Sequence, residues 1–322
     1  MRRPTNKRLK VIPAFEPNAG LRAEYARKLA KVLAIWTKEL RKQALLELSA
    51  PPEDRILGDV NFMAYVQSEA WAIKRAEGLD RDDVVVIDAM PPGLALDRWL
   101  SPAQRKAVMA CARALIKFGF EAKKVSHWFC RKMLYRTSAD MVRTLERAHV
   151  SKAIIRQKWQ VPLIKGQFIS KQTAQQLPEQ IKWMTELITK LSAASTKKVQ
   201  DELADALQNG HSYTKLRNRL MTLEHMDEAR AERVARDQGC KLNQFIQQEN
   251  ARALGITQAK WIHVPGMYSS RPTHVQMHGQ IFDLNKGMRD DSPEVGGAYV
   301  LPGQLPFCRC ICQMVLTDEL ME

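Results

Sequence analysis

Apolar residues recur every three or four positions along most of this chain, the spacing of a buried helix face. The first such stripe is Leu21, Tyr25, Leu29, Val32, Trp36 and Leu40, which predicts a helix over 19–48. Arg22, Lys28, Lys31, Lys38 and Lys42 fall on the opposite side. Ser49-Ala50-Pro51-Pro52 ends the helix, because proline cannot continue the hydrogen-bond ladder. The stripe has two readings: ordinary core packing, or a face that docks in a partner's groove. A second helix is predicted over 62–77, and Val84–Ile87 reads as a short strand or buried turn before Pro91-Pro92-Gly93. Ser101-Pro102 with Gln104 has the form of a capping box with proline at the first helical position. Helical patterns follow to Leu115, from Trp128 to Leu134, and from Ala139 to Trp159.

Between Gln160 and Leu177 the periodicity lapses around Pro162 and Gly166, the natural place for a domain boundary. From Pro178 the chain reads as helical again, with Ile181, Met184, Ile188 and Leu191 on one face. Asn209-Gly210 breaks that helix, Ser212 caps a short one, and a long helix over 227–254 stops at Gly255. Beyond it the helical period disappears. Lys260–Val264, Gln280–Leu284 and Ile311–Leu316 read as short strands between Gly- and Pro-rich loops. The expected fold is therefore mainly α: an elongated helical body with a small α+β C-terminal cap. The expected divisions are an extended basic arm over 1–18, carrying Pro4, Pro13 and Pro17, a helical body over 19–160, and a module over 178–322 that ends in the cap.

Charge adds a class of partner to this picture. The 50 Lys+Arg against 35 Asp+Glu leave a formal charge of +15, which favours polyanions through counterion release. DNA, RNA or an acidic protein surface would each suit it. Six cysteines in 322 residues do not form a disulfide framework, and Cys111, Cys130 and Cys240 lie singly in helical sequence, as buried or free thiols do. The opening Met-Arg-Arg-Pro-Thr-Asn-Lys-Arg has no apolar run behind it, and no stretch has the uninterrupted apolar length of a membrane span.

Candidate chemistry is concentrated near the end: Trp261, then Arg271-Pro-Thr-His274 with His278 and Gly279, then Pro302-Gly303, then Cys308-Arg309-Cys310-Ile-Cys312. If the last segment is a strand, its three cysteines share a face. Beside His274 and His278 they invite a zinc reading, with His274, His278, Cys308 and Cys310 as the ligand set. Against it, Cys-x-Cys-x-Cys is not the spacing of common structural zinc sites, and Pro272 and Gly279 leave little room for a helix that would align the histidines. The alternative is that the cysteines pack as small apolar residues and the histidines bond loop carbonyls, with no cofactor at all. A cysteine nucleophile or a histidine–arginine nuclease is a third reading. Asp283, Asp290, Asp291 and Glu294 look like a solvated loop rather than a magnesium site, and no metalloprotease motif, phosphate loop or nucleophile elbow occurs. Arg230, Arg233 and Arg236 recur every three residues and read either as a phosphate-binding face or, with Asp237, as anchors for the cap.

The order and spacing of these pieces resemble the phage Mu F-like family of bacteriophage minor head (head morphogenesis) proteins. The resemblance runs over about Glu179–Val315. It takes in Trp183–Leu191, Val199–Gly210 with Ser212 and Leu216, then Arg230, Arg233, Arg236 and Asp237. It continues through Lys241-Leu242-Asn243, Gly255-Ile256, Trp261, Arg271, His274, Gly279, Pro302, Gly303, Cys308, Arg309 and Cys310. Ser269 and Ser270 stand where the family usually has an acidic residue, and residues 1–175 carry no such resemblance. The resemblance implies that the motif residues are structural and that the protein is not an enzyme. It also implies a virion protein inside the capsid near the portal vertex, acting in procapsid assembly and in DNA packaging or ejection, and present in the host cytoplasm during assembly. Its expected partners are the portal protein, a scaffolding or major capsid protein, and double-stranded DNA bound non-specifically, with no membrane. The contrasting expectation is a nucleic-acid-processing enzyme with a Cys/His site near the C-terminus.

Overall fold

A computed structural model describes residues 10–59, 61–78, 100–163, 167–265, 269–316 and 320–321. The predicted Val84–Ile87 strand lies outside the described residues, as do residues 1–9 of the arm. The elements in chain order are β1 (Lys10–Val11), α1 (Ala19–Leu48), α2 (Phe62–Ala76), α3 (Pro102–Arg147), α4 (Lys152–Lys158), β2 (Val161–Pro162), β3 (Phe168–Ile169), α5 (Lys171–Gln208) and α6 (Tyr213–Ala253). Then come β4 (Gln258–Ile262), α7 (Pro272–Gln276), β5 (Ile281–Asp283), β6 (Met288–Asp290), β7 (Ala298–Val300) and β8 (Ile311–Leu316). The protein is mainly α with a small antiparallel sheet near its C-terminus.

The long helices are more continuous than the local pattern predicts. One helix of 46 residues, α3, joins the first two helical stretches to the start of the third, whose remainder is α4 after a break over 148–151, and Gly119 within it costs only about 1 kcal/mol against alanine. Helix α5 starts at Lys171 rather than at Pro178, which lies inside it. Ser170 makes this start, its hydroxyl accepting from the Thr173 amide at 3.0 Å. Helix α6 runs unbroken for 41 residues where a short and a long helix were expected.

By their internal contacts the residues form two compact units. The all-helical unit comprises residues 23–128 and 181–234. Tyr25, Leu29, Val32, Trp36 and Leu40 of the α1 stripe are buried in it, while Lys31, Lys38 and Lys42 are exposed. Trp36 places its indole N–H on the Thr196 hydroxyl at 2.8 Å, so even this large apolar ring has its polar atom satisfied. The capping box at the head of α3 forms as predicted. Gln104 N–H donates to the Ser101 hydroxyl at 3.2 Å, and the Gln104 carbonyl oxygen accepts from the Ser101 amide at 2.9 Å. Buried Glu47 accepts from the Leu57 amide at 3.0 Å, and burial raises its carboxyl above the ordinary range.

The sheet-bearing unit comprises residues 1–22, 129–180 and 235–322. Its main sheet has the order β1-β8-β4-β5, every pairing antiparallel, with β2–β3 and β6–β7 as separate two-stranded ladders. The described part of the amino-terminal segment is anchored: Lys10 pairs with Leu316 and Ile12 N–H donates to the Met314 carbonyl. The core gathers Ile12, Leu145, Trp159, Ile256, Trp261, Phe282 and Met314.

Beside this apolar core runs a row of buried amides from the second half of α6: Asn243, Gln244, Gln247, Gln248 and Asn250. Each reaches a backbone or hydroxyl group of another segment. Asn243 and Gln247 both donate to the Phe15 carbonyl, at 2.9 and 3.0 Å. Asn250 accepts from the Ser170 amide and the Thr173 hydroxyl, at 3.0 and 2.9 Å, and donates to Ser138 at 3.3 Å. Removing it strands three groups at once. Asn250→Ala is therefore expected to cost about 3 kcal/mol, since each orphaned buried partner costs roughly 1–3 kcal/mol. Urea unfolding measures this; a loss below about 1 kcal/mol would show that the network is dispensable.

Candidate functional site

The cluster of interest forms where β4 and β8 leave the sheet. Their register pairs Trp261 with Cys312 and Ile262 with Ile311. Carried one step further, it sets His263 opposite Cys310, and the His263 Nδ1 lies 3.6 Å from the Cys310 sulfur. The chain then turns into α7, where Pro272 occupies the first helical turn and His274 is buried at 2% exposure. His274 Nδ1 meets both the Cys308 and the Cys310 sulfur, at 3.4 and 3.5 Å. Its other nitrogen, Nε2, is 3.1 Å from a carboxylate oxygen of Asp290 at the end of β6, itself 0% exposed. The Trp261 ring packs edge-on against the imidazole, with centroids 5.2 Å apart.

An ionised carboxylate only accepts, so His274 Nε2 donates to Asp290 and Nδ1 faces the sulfurs, accepting from a thiol in the neutral ring and donating to a thiolate in the charged one. Hydrogen bonds from the Cys310 thiol and from His274 hold the Cys308 thiol below its ordinary range, against burial. The same contact with Cys308, together with burial, raises Cys310. Burial works against a charge on His274, but Cys308 and Asp290 outweigh it and raise its pKa. Burial likewise opposes ionisation of Asp290, yet Ser292, Thr273 and His274 overcome it and hold the carboxyl low. Burial lowers the pKa of half-buried His263.

Two expectations about this region need correction. Asp290 is not part of a solvated loop; the β6–β7 ladder turns it inward to His274. His278 does not join the cluster. It is exposed, and its Nδ1 accepts from the His263 backbone amide at 3.1 Å. Cys312 also points elsewhere, with its sulfur 3.1 Å from the Gln244 side-chain oxygen; burial pushes its thiol up to about 12. His263, Gln244 and Gln248 had drawn no attention in the sequence. A signal existed for the last two: a run of amide residues at positions that the α6 period turns inward.

The remaining sequence candidates fasten loops. Gly279 holds φ +82° and donates its amide to the Trp261 carbonyl at 2.8 Å. Gln248 of α6 donates to the Pro302 carbonyl at 3.2 Å. Gly303 follows at φ +80°, so close to α6 that an added Cβ would come 2.8 Å from Gln244 Cγ. Asp237 accepts from the Phe307 amide at 2.6 Å, which steadies a bulky residue held at φ 57°, and pairs with Lys241 at 2.9 Å. Arg271 donates to the Pro306 carbonyl, and Arg309 to that of Pro265, each at 3.2 Å. Arg233 is exposed, whereas Arg230 and Arg236 are half-buried. Arg230 and Arg233 belong to the all-helical unit, Arg236 and Asp237 to the sheet-bearing one.

Compared with known families, this stretch finds a counterpart. Residues 197–313 match the family described as Phage Mu protein F like protein. The match takes in all of α6, the cluster and each loop fastening just described. Neither the curated proteins nor the solved structures gave a match to the chain. A Mu F-like segment points to phage head morphogenesis. Cys308, His274 and Asp290 align as a nucleophile, base and orienting acid would, and Cys308 is 3% exposed.

Seating of the Mu F-like loop on α6 has a direct test. Gly303 and Gly296 both sit at positive φ, but Gly296 has open space around its would-be Cβ. Gly296→Ala is expected to cost about 1 kcal/mol of backbone strain, and Gly303→Ala about 1–3 kcal/mol more through crowding against Gln244. Equal thermal shifts for the two variants would remove the argument.

Proposed function

We propose that this chain is a minor head protein of a bacteriophage, bound at the portal vertex on the inner side of the capsid and acting in procapsid assembly and in DNA packaging or ejection. The observation that carries the reading is the coincidence of the Mu F-like match with a locally self-fastened structure. Six residues of the motif, Asp237, Arg271, Gly279, Pro302, Gly303 and Arg309, help to pin loops, as expected of a scaffold that presents surfaces to other proteins. The enzyme alternative draws no comparable support, because Cys308, Cys310 and His274 are buried.

Three further features support the finer parts of the proposal. A charge of +15 suits a protein beside packaged DNA, since non-specific phosphate contacts need only positive charge. Lys31, Lys38 and Lys42 are exposed on α1 and offer such contacts without disturbing the buried stripe. Among the described residues no helix is long and apolar enough to cross a membrane. The portal protein is the first partner, with scaffolding or major capsid protein as further ones.

Co-expression with the portal protein of the same phage, followed by size exclusion with mass detection, tests the central statement. A complex of this chain on the portal ring is the expected result, and separate migration at micromolar concentration contradicts it. The DNA contact is tested by affinity for a random duplex across salt. Affinity is expected to fall steeply with salt. K31E/K38E/K42E is expected to lower the log–log slope by roughly 2–3, about 0.9 for each phosphate that the variant no longer neutralises. An unchanged slope would take α1 out of the DNA-binding surface.

A further inference from the structure

The geometry points to a zinc site in the sheet-bearing unit, ligated by His274 Nδ1, Cys308 Sγ, Cys310 Sγ and the imidazole of His263, with Asp290 orienting His274. The ligand atoms of the first three lie within 4.8 Å of one another. Ligands placed tetrahedrally at Zn–S of about 2.3 Å and Zn–N of about 2.0–2.1 Å have sulfur–nitrogen separations of about 3.5 Å. The sulfur–nitrogen contacts here are 3.4, 3.5 and 3.6 Å, for Cys308–His274, Cys310–His274 and Cys310–His263. Side chains meeting at these distances already trace edges of a zinc tetrahedron.

Hydrogen bonding alone serves this group poorly. With Nε2 committed to Asp290, the single Nδ1 of His274 faces two buried sulfurs at once, at 3.4 and 3.5 Å. A cation between them satisfies both sulfurs and the nitrogen together. The carboxylate behind the histidine is the usual companion of a zinc-bound imidazole, fixing the tautomer that leaves the ligating nitrogen free. Trp261 adds an independent sign. Its buried indole N–H borders Cys310, where it favours a thiolate over a thiol.

Zinc is the ion that this donor set selects. Two thiolates and two imidazoles in a closed tetrahedron suit its borderline softness, and magnesium or calcium would require oxygen donors. The Cys-x-Cys spacing, awkward on a straight strand, is resolved by local structure. Phe307 at φ 57° and the turn bond from Cys308 N–H to the Leu305 carbonyl set Cys308 off the line of β8, so both sulfurs reach one nitrogen. The ligands arrive from three segments: the end of β4, α7 and the lead-in to β8. A bound ion would staple these short, loop-linked pieces together, as structural zinc does where a core is small.

The test is metal analysis of the full-length chain purified under reducing conditions without chelator, before and after addition of zinc chloride. One zinc per chain is expected, lost from C308S/C310S and kept in H278A and C312S. Chelator competition is expected to show zinc held 10–100-fold more weakly in D290N, and more weakly in H263A as well. Cobalt(II) added to the metal-stripped protein is expected to give the thiolate charge-transfer and tetrahedral ligand-field absorption of an S2N2 site. That readout needs no variant and decides the question even if the cysteine variants fail to fold. Less than a tenth of an equivalent of zinc after loading, an octahedral cobalt spectrum, or full zinc retention by folded C308S/C310S would each overturn the assignment.

Discussion

The buried amide row on α6 is the constraint on which the C-terminal architecture depends. Loops rich in Gly and Pro cannot pair their own backbone groups, and a buried amide or carbonyl without a partner costs roughly 1–3 kcal/mol. Asn243, Gln244, Gln247, Gln248 and Asn250 supply the missing partners from one rigid helix. They hold the Phe15 carbonyl, the Ser170 amide, the Pro302 carbonyl and the Cys312 amide. An apolar residue at any of these positions would fill the space but leave the loop unsatisfied.

With the loops fixed by α6, the short strands need only fine positioning. Sheet strands of three to six residues carry little stability of their own. Their alignment matters because it sets His263 against Cys310 and delivers Asp290 to His274. The residues of the Mu F-like motif thus fall into two groups. Asp237, Arg271, Gly279, Pro302, Gly303 and Arg309 hold backbone in place, while Trp261, His274, Cys308 and Cys310 converge on one buried point.

The two units also differ in how they present themselves. The all-helical unit buries the α1 stripe and leaves lysines outward, a surface suited to polyanions. The sheet-bearing unit pairs charged groups internally, Asp237 with Lys241 and His274 with Asp290, and leaves Arg131, Lys132, Arg143 and Lys158 exposed.

Much of this was set by the sequence itself. Periodicity gave α1 and its buried stripe, Ser101-Pro102 with Gln104 gave the start of α3, and β8 fell on the expected residues. Those features depend on neighbours within one or two turns, so a linear reading holds them. Helix continuity was less legible: the local pattern lapses between Leu115 and Trp128 and before Pro178, yet α3 and α5 run through both places. Which histidine joins the cysteines was not legible at all. His278 stands nearer His274 in sequence, yet strand register brings His263 to Cys310 and turns His278 outward. Asp290 looked solvated because a loop of acids usually is, until the β6–β7 ladder carried it inside. Local preferences are written residue by residue, but the meeting of side chains distant in sequence is decided by strand register and by the partners that buried polar groups require.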